Sequence, residues 1–133
     1  MAYQYLEHKA DLLIEAVGKD YTEALESAAK GMFEAISRAK GTETLEVSVE
    51  AEDLEDLVVR TLSTLLSESE AEETPLSKLE IKEFERTPKP RIRAVAYGEK
   101  GAPLKSTVKA VTYHELSVKE EKEKTTIRVL LDI

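Results

Sequence analysis

The sequence predicts an α+β fold in which two helices pack on one face of a mostly antiparallel or mixed β-sheet, or cap two sheets. Apolar residues recur at helical spacing after Asp20 and again after Asp53, whereas most of the second half alternates apolar and polar residues with the period of a strand. Turn-like segments separate these stretches. The predicted order is β-β-α-β-α-β-β-β-β, and the length of 133 residues predicts a single domain spanning residues 1–133.

The first half begins with two short strands and a helix. Residues 3–6 and 12–18 are predicted strands, separated by a polar break at residues 7–11. Asp20 and Glu23 then form the Asp-x-x-Glu pattern of a capping box, which predicts a helix start. The apolar face of this helix consists of Leu25, Ala28, Ala29, Met32, Phe33 and Ile36.

A second helix is predicted to begin after Asp53, a suitable N-cap residue. Its apolar stripe consists of Leu54, Leu57, Val58, Thr61, Leu62, Leu65 and Leu66. The acidic segment 67–73 follows, just before Pro75. Because negative charge at a helix C-terminus opposes the macrodipole, we expect residues 67–73 to fray or form a loop.

The remaining segments are predicted strands. Residues 44–50 alternate strictly, which indicates a strand with one buried face. In residues 76–86 the alternation turns Leu79, Ile81 and Phe84 inward. The other predicted strands are residues 91–97, 108–119 and 125–131.

The composition limits the classes of function. The net charge of −8 makes non-specific nucleic-acid binding unfavourable and favours a basic protein partner or a cation. With no cysteine, the chain has no disulfide, thiol nucleophile or zinc-thiolate site. We find no apolar signal region and no run long enough for a membrane span, so we expect a cytoplasmic protein without membrane contact.

The end of the sequence supplies the strongest candidate site. An apolar strand runs into Asp132 and Ile133, so the terminal carboxylate and the Asp132 side chain would be held close together. Asp11, near the N-terminus, is the candidate third anion. Three such oxygen groups suit Ca²⁺, Mg²⁺ or Mn²⁺. A turn aspartate and an ordinary polar chain end would account for the same residues.

Two histidines and one strand supply weaker candidates. His8 is a candidate ligand, general base or partner contact, or a histidine satisfied at a strand end. Strand periodicity over residues 108–116 places His114 in a mostly apolar row, which predicts a hydrogen-bonded core histidine. Lys109 and Tyr113 share the opposite face, which would contact a phosphate or a partner, or simply face solvent.

Several standard catalytic motifs are absent from the sequence. It contains no phosphate-binding P-loop, no His-Glu-x-x-His and no recognisable nucleophile elbow. We therefore expect a metal-dependent accessory protein and not an enzyme. A stand-alone metal hydrolase acting on RNA or nucleotides is disfavoured because the chain lacks a basic groove and an evident general base.

Four motifs together resemble the archease family. They are EHKAD at residues 7–11, GMFEAI at 31–36, VKAVTYH at 108–114 and IRVLLDI at 127–133. They occur in the expected order and span nearly the whole chain, which makes the set more specific than any one motif. One departure from the family is Lys9, where threonine is common; it would place a cation close to the proposed anions.

The resemblance implies a function. Archeases assist the RtcB-type tRNA-splicing ligase: they promote guanylylation of a ligase histidine, support multiple turnover and broaden nucleotide use. Contact with tRNA would be indirect, through the ligase. The family's divalent-cation site carries over to Asp11, Asp132 and Ile133. His8, Lys109, Tyr113 and His114 are candidates for the partner interface or for supporting the site. The alternative is a general protein or RNA chaperone that acts without metal.

Overall fold

The computed structural model describes residues 2–6 and 11–133, and its element order is the predicted one. The strands are β1 Ala2–Leu6, β2 Asp11–Gly18, β3 Glu43–Glu50, β4 Leu76–Glu85, β5 Arg91–Gly98, β6 Ala110–Glu121 and β7 Lys124–Asp132. The helices are α1 Tyr21–Ile36 and α2 Leu54–Ala71. In the described part of the chain, no helix is long and apolar enough to cross a membrane.

The strands form two sheets. One has four strands in the order β1-β2-β7-β6, and the other has three in the order β3-β5-β4. Every strand pair in the described residues is antiparallel. The predicted α+β class is therefore confirmed, and of the two predicted arrangements the structure has the one with two sheets, both antiparallel. The central pair of the larger sheet joins β2, from the start of the chain, to β7, from its end.

Each helix contacts both sheets. Helix α1 packs against β1, β2 and β7 of the larger sheet and against β4 of the smaller one. Helix α2 packs against β6 and β3. The buried core therefore joins both sheets and both helices, with Leu25 and Met32 of α1 and Leu62 of α2 fully buried. Burial of such side chains contributes about 1.5–3 kcal/mol each.

Both helices begin at the predicted caps. The Asp20 carboxylate accepts a hydrogen bond from Glu23 N at 2.9 Å, and that of Asp53 accepts one from Asp56 N at 2.7 Å. These bonds satisfy main-chain N–H groups that have no partner within the helix. A residue three positions after the cap supplies the donor in each case, so the capping motifs predicted both starts correctly.

The prediction that residues 67–73 fray or form a loop was wrong for most of the segment, because α2 continues to Ala71 and only residues 72–73 form a turn. One local and one tertiary hydrogen bond fix this end: Ser69 Oγ donates to Thr74 O at 2.8 Å, and Gly101 N donates to Glu73 O at 2.9 Å. Glutamate also favours helix formation, so its propensity offsets part of the unfavourable dipole interaction. The acidic residues are therefore held in a defined arrangement.

The strict alternation predicted for residues 108–116 was also wrong. Pairing of β6 with β7 jumps from Thr112↔Leu130 to Ser117↔Arg128, so residues 113–116 bulge out of the ladder. Glu115 lies in this bulge with φ at +57°. The buried position that pairs with Leu131 is Val111, and His114 is exposed. His114 is therefore not a core histidine, because the bulge interrupts the period of two.

Candidate metal site

The two central strands of the larger sheet bring Asp11 and Asp132 together. Asp11 is the first residue of β2, and it lies directly opposite Asp132, the last residue of β7. Side chains at directly opposed antiparallel positions share one face, with Cβ atoms about 4.5–5.5 Å apart. Two residues separated by most of the sequence thus place their carboxyl groups side by side at one end of the strand pair.

The carboxyl pair lies on the face of the sheet opposite the main core. Ile14 on β2 and Val129 and Leu131 on β7 belong to the core, so alternation turns Asp11 and Asp132 the other way. Asp132 is exposed, whereas Asp11 is half-buried. The pair can therefore be reached by a cation from solvent or by a partner surface.

Buried side chains and an ion pair lie on the same face of the sheet, next to the carboxyl pair. Leu13 and Leu130 oppose each other two residues along the strands from the carboxyl pair, and they are only 7% and 3% exposed. At the next pair on this face, Arg128 Nε donates to Glu15 Oε2 at 2.8 Å. Packing and an ion pair therefore fix the β2–β7 register on which the proximity of Asp11 and Asp132 depends.

A third segment fixes the end of β7. Lys109 N donates to Asp132 O at 2.7 Å, and Ala110 at the start of β6 pairs with Asp132. Ile133, which follows, is 43% exposed. The main chain at Asp132 is thus held between Asp11 on one side and the start of β6 on the other. The sequence singled out Lys109 but did not predict this main-chain bond.

The donor set has the chemistry of a hard-cation site. Asp11 and Asp132 offer carboxylate oxygens, which Ca²⁺ and Mg²⁺ prefer, and the main-chain oxygen of Ile133 is one residue away. Across residues 2–6 and 11–133, no three His, Cys, Asp or Glu side chains converge into a metal-binding group. From the described residues, the further ligands of a cation here would be main-chain oxygen or water. The predicted contribution of His8 falls on a residue outside the described ranges.

Tyr113 makes a contact that the sequence did not predict. Its side chain is 59% exposed, yet its hydroxyl donates to Asp56 Oδ1 at 2.6 Å. The other Asp56 oxygen accepts from Glu52 N at 3.0 Å and contacts Arg60 Nε at 2.8 Å. The hydrogen bond from Glu52 N, that from Tyr113 and the charge of Arg60 hold the pKa of Asp56 below its usual range. This cluster ties the β6 bulge to the start of α2.

We expect Asp56→Ala to lower the free energy of unfolding by about 1–2 kcal/mol at pH 7, because the Glu52 N–H and the Tyr113 hydroxyl lose their acceptor. The pKa of Asp56 is depressed in the folded state, so its contribution is present above the unfolded pKa of about 3.9 and is lost as pH falls through the folded value. Urea denaturation at pH 7 and at pH 3 measures the free energy of unfolding of the unmodified protein and of Asp56→Ala.

The matched control for this prediction is Glu55→Ala, which removes an exposed acidic side chain from the same turn of α2. Its effect should stay within about 0.5 kcal/mol. A loss from Asp56→Ala that is no larger than the control, or that grows towards low pH, would contradict the role given to Asp56.

These features define an α+β protein with two antiparallel sheets and a pair of carboxyl groups at the meeting point of its first and last long strands. The model of the archease protein family (MTH1598/TM1083) matches residues 3–133. The chain therefore belongs to the archease family, as its motifs indicated.

Relatives and solved structures agree with this assignment. Protein archease of Methanosarcina acetivorans is 35% identical over 98% of this chain and 95% of its own length. That of Pyrococcus abyssi is 36% identical over 89% of this chain and 88% of its own. The solution structure of Methanobacterium thermoautotrophicum protein 1598 superposes with a TM-score of 0.85, at 28% identity and 98% coverage of both chains. A Thermotoga maritima crystal structure, described as an archease and possible chaperone, shares the fold with a TM-score of 0.64 at 22% identity, covering 96% of this chain and 94% of its own.

Proposed function

We propose that this protein activates an RtcB-type tRNA-splicing ligase, as its resemblance to archease implies, and that it does so without catalysing a reaction itself. The observation that carries the proposal is the direct pairing of Asp11 with Asp132 at an accessible end of the sheet. These two carboxylates and a main-chain oxygen of Ile133 would hold a divalent cation, either Ca²⁺, Mg²⁺ or Mn²⁺. The setting would be cytoplasmic, and tRNA would be met only through the ligase.

The chemistry of the ligase explains why such a site would help. Transfer of GMP from GTP to a histidine depends on positioning the phosphates and on neutralising their charge. A divalent cation supplies that neutralisation when it is bound between carboxylate and phosphate oxygens. The role of Asp11 and Asp132 is to hold the positive charge of the cation at a fixed place. The hydrogen bond from the Lys109 main chain keeps Asp132 in position.

Three of the predicted interface residues are suited to contact the partner. Lys109 is exposed beside Asp132, and Tyr113 is exposed on the β6 bulge with its hydroxyl fixed by Asp56. His114 is exposed next to Tyr113. An aromatic ring whose polar end is already bound has less conformational entropy to lose on association. We therefore assign Lys109, Tyr113 and His114 to the ligase interface.

The proposal is tested by RNA ligation with the ligase limiting and this protein present at less than one equivalent. We expect the number of ligation events per ligase to rise well above that of the ligase alone. Heat-induced aggregation of an unrelated enzyme serves as the parallel measurement. Suppressed aggregation without added turnover would contradict the activator role and favour a general chaperone. Ligation in the absence of ligase would contradict the non-enzymatic assignment.

A further inference from the structure

A cleft of about 430 Å³ lies between the C-terminal end of α2 and the loop formed by residues 101–108. Its apolar lining consists of Ile36, Leu66, Ala102, Leu104 and Val108. Leu104 is 61% exposed, the highest exposure among the large apolar side chains of the described residues. An apolar surface left open in this way is typical of an interaction site.

The walls of the cleft are held by main-chain hydrogen bonds. Lys105 N donates to Ile36 O at 2.7 Å, and Gly101 N donates to Glu73 O at 2.9 Å. Ser37 and Leu104 also form an isolated antiparallel bridge. These contacts attach the loop to the ends of both helices, so the cleft is already formed in the free protein. Binding there would require little further ordering.

The rim of the cleft is negatively charged. Glu70 and Glu73 line it, whereas the exposed Lys105 belongs to the same loop but is not among the residues that line the cleft. Both glutamates are exposed, and the hydrogen bonds and ion pairs found for the described chain include none to their carboxylates. Glu68 and Glu72 add further charge at the same helix end, where the last turn has no basic residue. The helix dipole is negative there as well.

We propose that this cleft binds a lysine- and arginine-rich segment of a partner protein, which inserts one or two apolar side chains between α2 and the 101–108 loop. The apolar lining accounts for the inserted side chains, and the unpaired glutamates account for the basic flanks. This is the groove mode of peptide recognition, in which apolar anchors give affinity. The inference goes beyond the proposed ligase role, because neither the cation nor the ligase enters it.

The cleft adjoins the candidate metal site through the main chain. Val108 lines the cleft, and the next residue, Lys109, donates its N–H to Asp132 O. A segment bound in the cleft would therefore lie beside the strand end that carries Asp132.

The probe is a short synthetic helical peptide with leucine on one face and lysine on the other. Two matched peptides replace either every lysine by glutamate or every leucine by serine. We expect the leucine–lysine peptide to bind most tightly and to shift backbone amide resonances within residues 66–76 and 101–108. Equal binding of all three peptides, no binding of the first, or shifts confined to other surfaces would overturn the proposal.

Variants on the rim and on the lining separate charge from apolar contact. Glu70→Gln/Glu73→Gln should weaken binding about fivefold to tenfold, as expected from the loss of two partly exposed ion pairs. Leu104→Ser should weaken binding without changing its salt dependence. The control Glu46→Gln/Glu50→Gln removes the same charge from exposed positions on β3 and should leave the affinity within about twofold. An equal loss of affinity in the control would overturn the proposal, because the net charge of the protein alone would then explain the binding.

Discussion

Asp132→Asn is expected to weaken divalent-cation binding by at least about 100-fold, since even indirect partners of metal ligands contribute 10- to 100-fold. The substitution keeps the size of the side chain but removes its charge. Because Asp132 lies opposite Asp11 at the end of a register fixed on both sides, no neighbouring strand position replaces it. Calorimetric titration with Ca²⁺ and with Mn²⁺ measures the change.

The control for Asp132→Asn is Glu46→Gln, which removes one exposed carboxylate from the smaller sheet. It should bind cations as the unmodified protein does. Asp11→Asn should reproduce most of the loss, and the double variant should add little, because the two carboxylates would serve one ion. Cation affinity that is unchanged in Asp132→Asn, or additive losses in the double variant, would contradict a shared site.

Gly18→Ala is expected to lower the free energy of unfolding by about 3 kcal/mol or more, the upper end of the cost of overpacking. A Cβ atom at Gly18 would lie 2.4 Å from Ala24 N and 2.7 Å from Glu23 C. Both are main-chain atoms of the first turn of α1, so they cannot move aside as a flexible side chain would. The start of α1, with the Asp20 cap, would have to shift. Denaturant unfolding monitored by circular dichroism measures the cost.

Gly41→Ala is the matched control, because a Cβ atom there would be 3.3 Å from Tyr97 Cβ and would need only a small adjustment. Its effect should stay within about 1 kcal/mol. Equal midpoints for the two variants would contradict the steric argument. Gly18 and Asp11 are at opposite ends of β2, roughly 23 Å apart at the rise of a strand, so folded Gly18→Ala should bind cations normally.

The order of elements was predictable because its signals are local. Two capping aspartates, two apolar helical stripes and alternating strands lie in the sequence itself. The β6 bulge and the last turn of α2 were not predictable, since long-range contacts decide both. Residues 113–116 leave the ladder where Tyr113 reaches Asp56, and the 101–108 loop holds the end of α2. The order of the strands within each sheet was not predictable either, because it also depends on contacts between distant parts of the sequence.

The candidate site could be predicted only in part from the sequence. Family motifs singled out Asp11 and Asp132, and the strand register accounts for their proximity. The sequence did not predict that the Lys109 main chain holds Asp132, because nearly every residue type has a main-chain N–H group that can donate such a bond. The Asp56 contact had a partial signal: Asp56 stands three positions after a capping aspartate, a common place for a helix-start carboxylate.

The central claim is that the carboxyl groups of Asp11 and Asp132 act on the ligase through a divalent cation. The most direct measurement is GMP transfer from labelled GTP to the ligase, with this protein first stripped by chelator and then reloaded with Mn²⁺. We predict stimulation by the reloaded protein, little by the stripped protein, and none by Asp132→Asn in either state. Full stimulation by Asp132→Asn with its fold intact would contradict the claim.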